Sequence, residues 1–228
     1  MRYMRNIKFA FGEFYHIYNR GVDKRLIFID EKDFDRFFQG IEQFNTKKRI
    51  GNLSRGHRVS TGSGEGELEN LVNIVAYAVN QNHFHFILTP VCEKGIEKFM
   101  HKLSMGYAKY FNTKYKRSGA LWQGKFRAKH IDSNEYLLHL SAYINLNDKI
   151  HARGHRVSTG VTSWKEYLGN EYLGEEVDSI CKKDIVLEQF NSIEEYKDFA
   201  ENTLGDIVQN KIMIEDLEND GIELVNTI

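Results

Sequence analysis

His83-Phe84-His85 sets two imidazoles at i and i+2 of an aromatic and β-branched run, HFHFIL. In an extended strand both rings project from one face while Phe84 points into the other. Two neutral imidazoles side by side are the start of a divalent-metal clamp, although a bare pair also describes ordinary hydrogen-bonded histidines. A third ligand is what separates the two readings. Further along, in LLHLSAYINLN, Tyr143 and Asn147 stand four residues apart and so share a helical face with Tyr136 and His139. Taken alone, Tyr143 reads as a core aromatic.

These groups need elements to hold them. Phe14 to Arg20 (FYHIYNR) is aromatic and β-branched and ends at Gly21, a first strand. Asp30 caps a helix from about Glu31 to Phe44, with Phe34, Phe37, Phe38 and Ile41 at helical spacing. Leu71 to Val79 and His83 to Leu88 are two strands separated by Asn80, Gln81 and Asn82, which suits an antiparallel hairpin. Gly95 to about Tyr115 is an amphipathic helix carrying Ile96, Phe99, Met100, Leu103, Tyr107 and Tyr110 on one stripe. Leu121 to Ile131 reads as a fourth strand, and Ser133 N-caps a last helix running to about Asn147.

The order β-α-β-β-α-β-α predicts an α+β, ferredoxin-like (RRM-like) fold. Its four-stranded antiparallel sheet carries helices on one face and leaves the other free to take a ligand. Residues 1–150 form this unit, with an inserted loop at about 50–66. Residues 151–228 form an extension with a second inserted loop at about 151–162 and an acidic, mainly helical tail.

The 228 residues fit one domain plus a modest appendage. No run of 18 apolar residues and no secretory leader is present, so the expected compartment is the cytoplasm, with no membrane partner. Cys92 and Cys181 are far apart without a CxxC pair, which excludes a disulfide scaffold and a thiolate zinc ribbon.

The net charge of −1 conceals an asymmetry: residues 1–150 carry +9 and residues 151–228 carry −10. Between Lys98 and Ile131 there are nine basic residues and no acid, the footprint of a polyanion partner. Lys114, Lys116, Arg117, Lys125, Arg127 and Lys129 are the candidate phosphate contacts, with Asn19 and Arg20 at the end of the first strand. Tyr110, Tyr115, Trp122 and Phe126 are interleaved aromatics that can stack on unpaired bases.

One octapeptide, RGHRVSTG, occurs at residues 55–62 and again at 153–160. The copies are too far apart, in unrelated surroundings, for a solenoid repeat. The codons CGT GGA CAC CGG GTG TCC ACG spell its first seven residues and form their own reverse complement about the central arginine codon. Two readings follow: a hairpin-forming DNA element inserted twice in frame, or a duplicated basic loop.

NHFHFILTP, the helix ending KYFNTKYKRSGALWQGKF, and LLHLSAYINLN together resemble the single-tyrosine HUH transposases, and among them most closely the REP-associated tyrosine transposases. FYHIYNRG, IFIDEKDFDRF, TSWKEYLG and SIEEYKDF extend the resemblance over most of the chain. The resemblance implies a metal-dependent nuclease and strand transferase acting on single-stranded or hairpin DNA, of the palindromic-repeat kind. It puts the metal on His83 and His85, the nucleophile at Tyr143 and a third ligand at Asn147, and it favours a monomer over a helix-swapped homodimer. Asn80-Gln81 stands where the family commonly has Met-Pro, and Asp148 where it commonly has Pro.

A phenol of pKa about 10 attacks a phosphodiester poorly at neutral pH, so such a site must relieve the charge at phosphorus. Two imidazoles and an amide leave a bound cation its full charge and open positions for phosphate oxygens, which suits Mg²⁺ or Mn²⁺. The alternative reading is a non-catalytic RRM-like nucleic-acid-binding module, or a decayed transposase that binds without turnover.

Overall fold

The computed structural model describes residues 7–47, 70–152, 160–173 and 179–209. The first strand, β1 (Phe14–Arg20), leads through a short 3₁₀ turn to α1 (Glu31–Phe44). Asp30 and Asp33 close a reciprocal capping box at the start of α1, which buries Phe34, Phe37 and Ile41. β2 (Val72–Asn80) and β3 (His83–Pro90) form the expected hairpin, and α2 (Gly95–Lys114) crosses back against α1. The two helices approach closely because Gly106 lies under Phe44; a Cβ there would sit 2.7 Å from that ring.

β4 (Arg127–Ile131) is shorter than the expected strand 121–131. Only Trp122 of the preceding stretch bridges to Gly21, and the left-handed backbone at Gly124 (φ 75°) turns the chain before pairing with β1 begins. All named pairings are antiparallel and the sheet order is β4-β1-β3-β2-β5, so the expected four-strand order is extended at one edge. The fifth strand, β5 (Val161–Thr162), is two residues long, too short to show alternation in the sequence.

One face of the sheet packs Tyr15, Ile17, Tyr77, Val79, Phe84 and Phe86 against α1 and α2. The opposite face is also covered, unlike the expected open surface. There, Val75, Ala78 and Ile87 pack with α3 (Asn134–Asn145), α5 (Trp164–Leu173) and α7 (Ile193–Gln209). The carboxylate of Glu166 explains why the extension stays on the sheet. Its Oε1 accepts from the Tyr77 hydroxyl at 2.8 Å, and its Oε2 accepts from the backbone N–H groups of Ile180 and Cys181, each at 3.0 Å. A short helix, α6 (Asp184–Leu187), joins this segment to α7.

The last helix of the basic fold does not reach Asn147 unbroken. Leu146, at φ −104° and ψ 17°, ends α3, and Asn147 opens α4 (Asn147–Ala152). The first octapeptide copy and residues 153–159 of the second lie outside the described residues, as does the acidic stretch after Gln209.

Candidate active site

The pleat of β3 puts His83 and His85 on the face that α3 covers, with ring centroids 5.1 Å apart and planes at 82°. The Nδ1 of His83 lies 2.6 Å from Asn82 Oδ1. An amide oxygen only accepts, so Nδ1 carries the proton and Nε2 keeps its lone pair. On the other side, Asn80 Nδ2 lies 3.0 Å from that Nε2 and donates to Asn147 Oδ1 at 2.6 Å. Asn147 is fully buried, and its Oδ1 and the Nε2 of His83 both face the same Asn80 NH₂.

His85 is held from behind. Its Nδ1 lies 2.9 Å from Nε2 of His16 on β1. Burial, and secondarily the positive charge of Lys129, push the His16 pKa down to about 3, so that ring is neutral at physiological pH. With His85 as the donor of this bond, its Nε2 carries the lone pair, the orientation seen when a ligating histidine is fixed by a second hydrogen-bonding group. Tyr143, on α3, meets the His85 ring edge to face at 5.8 Å and is 2 % exposed.

Two imidazole nitrogens and an amide oxygen fit a divalent cation with mixed nitrogen and oxygen ligands. Among the described residues no group of three or more His, Cys, Asp or Glu side chains gathers to hold a metal, so the fit depends on the amide of Asn147. Its Nδ2 is buried without a hydrogen-bond partner, while its oxygen accepts from Asn80.

The other residues of the predicted helical stripe lead elsewhere. His139 packs on Phe199 and faces Thr203 of α7. The Tyr136 ring lies under the Lys129 ammonium at 4.9 Å, and burial pushes its phenol pKa up. His16 carries no signal in its spacing, and Asn80 enters the sequence only as a hairpin-break residue and a departure from the family's Met-Pro. The available signal was strand register: Asn80 pairs directly with His83, and His16 is one alternation from Tyr18, the partner of His85.

Residues 45–147 match the family model described as Transposase IS200 like, a span that contains His83, His85, Tyr143 and Asn147. Over this segment the chain is similar to the IS200-like transposases. A solved structure described as "Structure of the REP associates tyrosine transposase bound to a REP hairpin" is similar to the chain at 15% identity. The similarity covers 70% of this chain and 82% of that one, with a TM-score of 0.46. No curated protein matches the chain. No helix among the described residues is long and apolar enough to cross a membrane.

Within the matched segment the basic candidates divide. Lys114 is committed to Asp30 at 2.6 Å and Asp33 at 2.7 Å, which removes it as a phosphate contact. Arg117 stacks over Phe111 and donates to Asn112 Oδ1 at 3.1 Å, bracing the turn after α2. Trp122 is 8 % exposed, with its indole N–H bonded to Ser104 O, so it is a core residue and not a stacking platform. Lys116 and Lys125 are exposed, as is Arg127, and Lys129 is half-buried.

Outside the matched span, Asn19 is also buried, donating to Gly124 O at 3.3 Å, and Arg20 pairs with Gln123. Both tie the end of β1 to the loop before β4. Tyr115 and Tyr110 direct their hydroxyls to Asp33.

Proposed function

We propose that this chain cleaves and rejoins single-stranded or hairpin DNA, with Tyr143 as nucleophile and a divalent metal, Mg²⁺ or Mn²⁺, held by His83, His85 and Asn147. The observation that carries the reading is the convergence of these four side chains from β3, α3 and α4 of one chain. It supports a site whose four side chains all come from one chain.

A bound cation would supply Lewis acidity, polarising the scissile phosphate through its non-bridging oxygens. Asn82 holds His83 in the ligating tautomer, and the bond to His16 holds the ring of His85 in place. The Tyr143 oxygen attacks phosphorus, the 3′-oxygen leaves with a proton, and the DNA 5′-phosphate becomes esterified to the tyrosine. Water takes no part, so the reverse reaction with another 3′-hydroxyl rejoins the strand. Exposed Lys116, Lys125 and Arg127 would contact the backbone.

The test is incubation of the full chain with labelled hairpin oligonucleotides and Mn²⁺, followed by denaturing electrophoresis. A covalent adduct that is present in wild type and absent in Tyr143→Phe is the expected result. The 2 % exposure of Tyr143 favours a second reading, binding without turnover. Hairpin binding with no adduct from any substrate would establish that reading instead.

A further inference from the structure

Asn80 occupies a position that the metal reading leaves unexplained. It ends β2 and pairs directly with His83 across the hairpin, so its side chain shares the face of that ring. It is 4 % exposed. Its single NH₂ group serves both His83 Nε2 at 3.0 Å and Asn147 Oδ1 at 2.6 Å. Its own Oδ1 is buried and has no hydrogen-bond partner.

A donor group therefore sits where two lone pairs meet, the place a cation would take, while an oxygen of the same side chain is left unsatisfied. A buried amide oxygen without a partner is an unfavourable arrangement that folded proteins rarely keep without another use for it. A half-turn about the terminal side-chain bond exchanges the two ends of the amide. With the oxygen turned inward, Asn80 Oδ1, Asn147 Oδ1 and His83 Nε2 would repel one another around an empty centre and attract one another around a cation.

We propose that Asn80 is a fourth ligand to the divalent metal, its Oδ1 turning in to bind the cation at the place where its NH₂ donates to His83 and Asn147. This rests on the metal-centre reading given above. The completed set is two imidazole nitrogens and two amide oxygens, all neutral, and the second hard oxygen shifts preference toward Mg²⁺ and Mn²⁺ over softer metals. Neutral ligands also leave the cation's charge undiminished for phosphate.

The test is Mn²⁺ binding to the full chain without DNA, by calorimetry and by loss of the free-ion electron paramagnetic resonance signal. Asn80→Leu, checked for a cooperative thermal transition, is expected to weaken binding by about tenfold or more. Asn80→Asp is expected to tighten it by about tenfold, because the ligand gains charge. The aspartate is the sharper arm: a carboxylate cannot donate to Asn147, so a residue acting only as a hydrogen-bonding brace would lose affinity on this change.

Unchanged or weaker binding by Asn80→Asp overturns the proposal, as does unchanged binding by a folded Asn80→Leu. If the leucine variant does not fold, the aspartate result decides alone. His83→Ala separates the two levels. Wild-type binding that His83→Ala abolishes and neither Asn80 variant alters removes Asn80 and leaves the metal centre standing. A wild-type chain that binds no Mn²⁺ removes both.

Discussion

The Nε2 of His16 on β1 lies 2.9 Å from the Nδ1 of His85 on β3, two buried imidazoles sharing one hydrogen bond across neighbouring strands. Their ring planes are 22° apart at a centroid distance of 5.2 Å, so the contact fixes the tilt of His85. His16→Phe keeps the ring volume and removes the bond. Mn²⁺ affinity is expected to fall by roughly ten- to hundredfold with single-strand DNA affinity unchanged, measured by calorimetry and by fluorescence anisotropy. Equal losses in both would place His16 in the fold and not in the metal site.

Tyr196 of α7 anchors the helix that carries Tyr143. Its hydroxyl accepts from Asn145 Nδ2 at 2.8 Å and pairs with Ser141 Oγ at 3.0 Å, and Asn145 Oδ1 accepts in turn from Ser163. Tyr196→Phe leaves the Asn145 amide short of an acceptor in a buried setting. The expected cost is about 1–3 kcal/mol in urea denaturation, with faster amide exchange in α3.

Asp33 makes stability depend on acid. Burial alone would raise its carboxyl pKa, but hydrogen bonds from Lys114, from the backbone of Ile29 and Asp30, and from Tyr115 outweigh burial and hold it below the usual value. A depressed carboxyl stabilises the fold fully above its ordinary pKa, and the contribution disappears as pH falls through the lower folded value. Asp33→Asn is expected to cost about 2–3 kcal/mol at pH 7. The gap between variant and wild type should close below about pH 4. A gap that stays constant from pH 7 to pH 2 would contradict the assignment.

The basic stretch separates into two functions that one experiment can resolve. Lys116→Ala and Lys125→Ala should each lower single-strand affinity and reduce the slope of log K against log salt by about 0.7, leaving unfolding unchanged. Trp122→Ala should instead cost about 3–5 kcal/mol of stability. Lys114→Ala should likewise show in the melting curve, since it leaves Asp33 buried without its ammonium.

The repeated octapeptide is tested by its codons. An inserted hairpin element requires the coding strand at residues 55–62 and 153–160 to carry complementary arms about each central arginine codon. Sequencing is expected to show them at both copies. Codons that cannot pair leave a duplicated basic loop.

The fold was largely legible because strong local signals coincide with its elements: the aromatic stripe of α1, the hairpin break at 80–82 and the lysine-studded α2. The covered second face was not legible, because it is built from Val75, Ala78 and Ile87 of the sheet and from Tyr167, Tyr196 and Ala200 of later helices, far apart in the chain. The site divides in the same way. His83 and His85 announce themselves by spacing, whereas His16 and Asn80 matter only through register, which periodicity does not encode. Trp122 and Lys114 misled for a related reason: residue type suggests stacking and phosphate contact, but burial and ion pairing decide.

The break at Leu146 places the phenol and the amide on successive helices instead of one rigid rod. Asn147 is anchored to the hairpin by Asn80, while Tyr143 rides on a helix whose other ties run to α7 and β5. Loosening the contacts to α7 and β5 therefore reaches the phenol first, while the amide keeps its own tether to the hairpin.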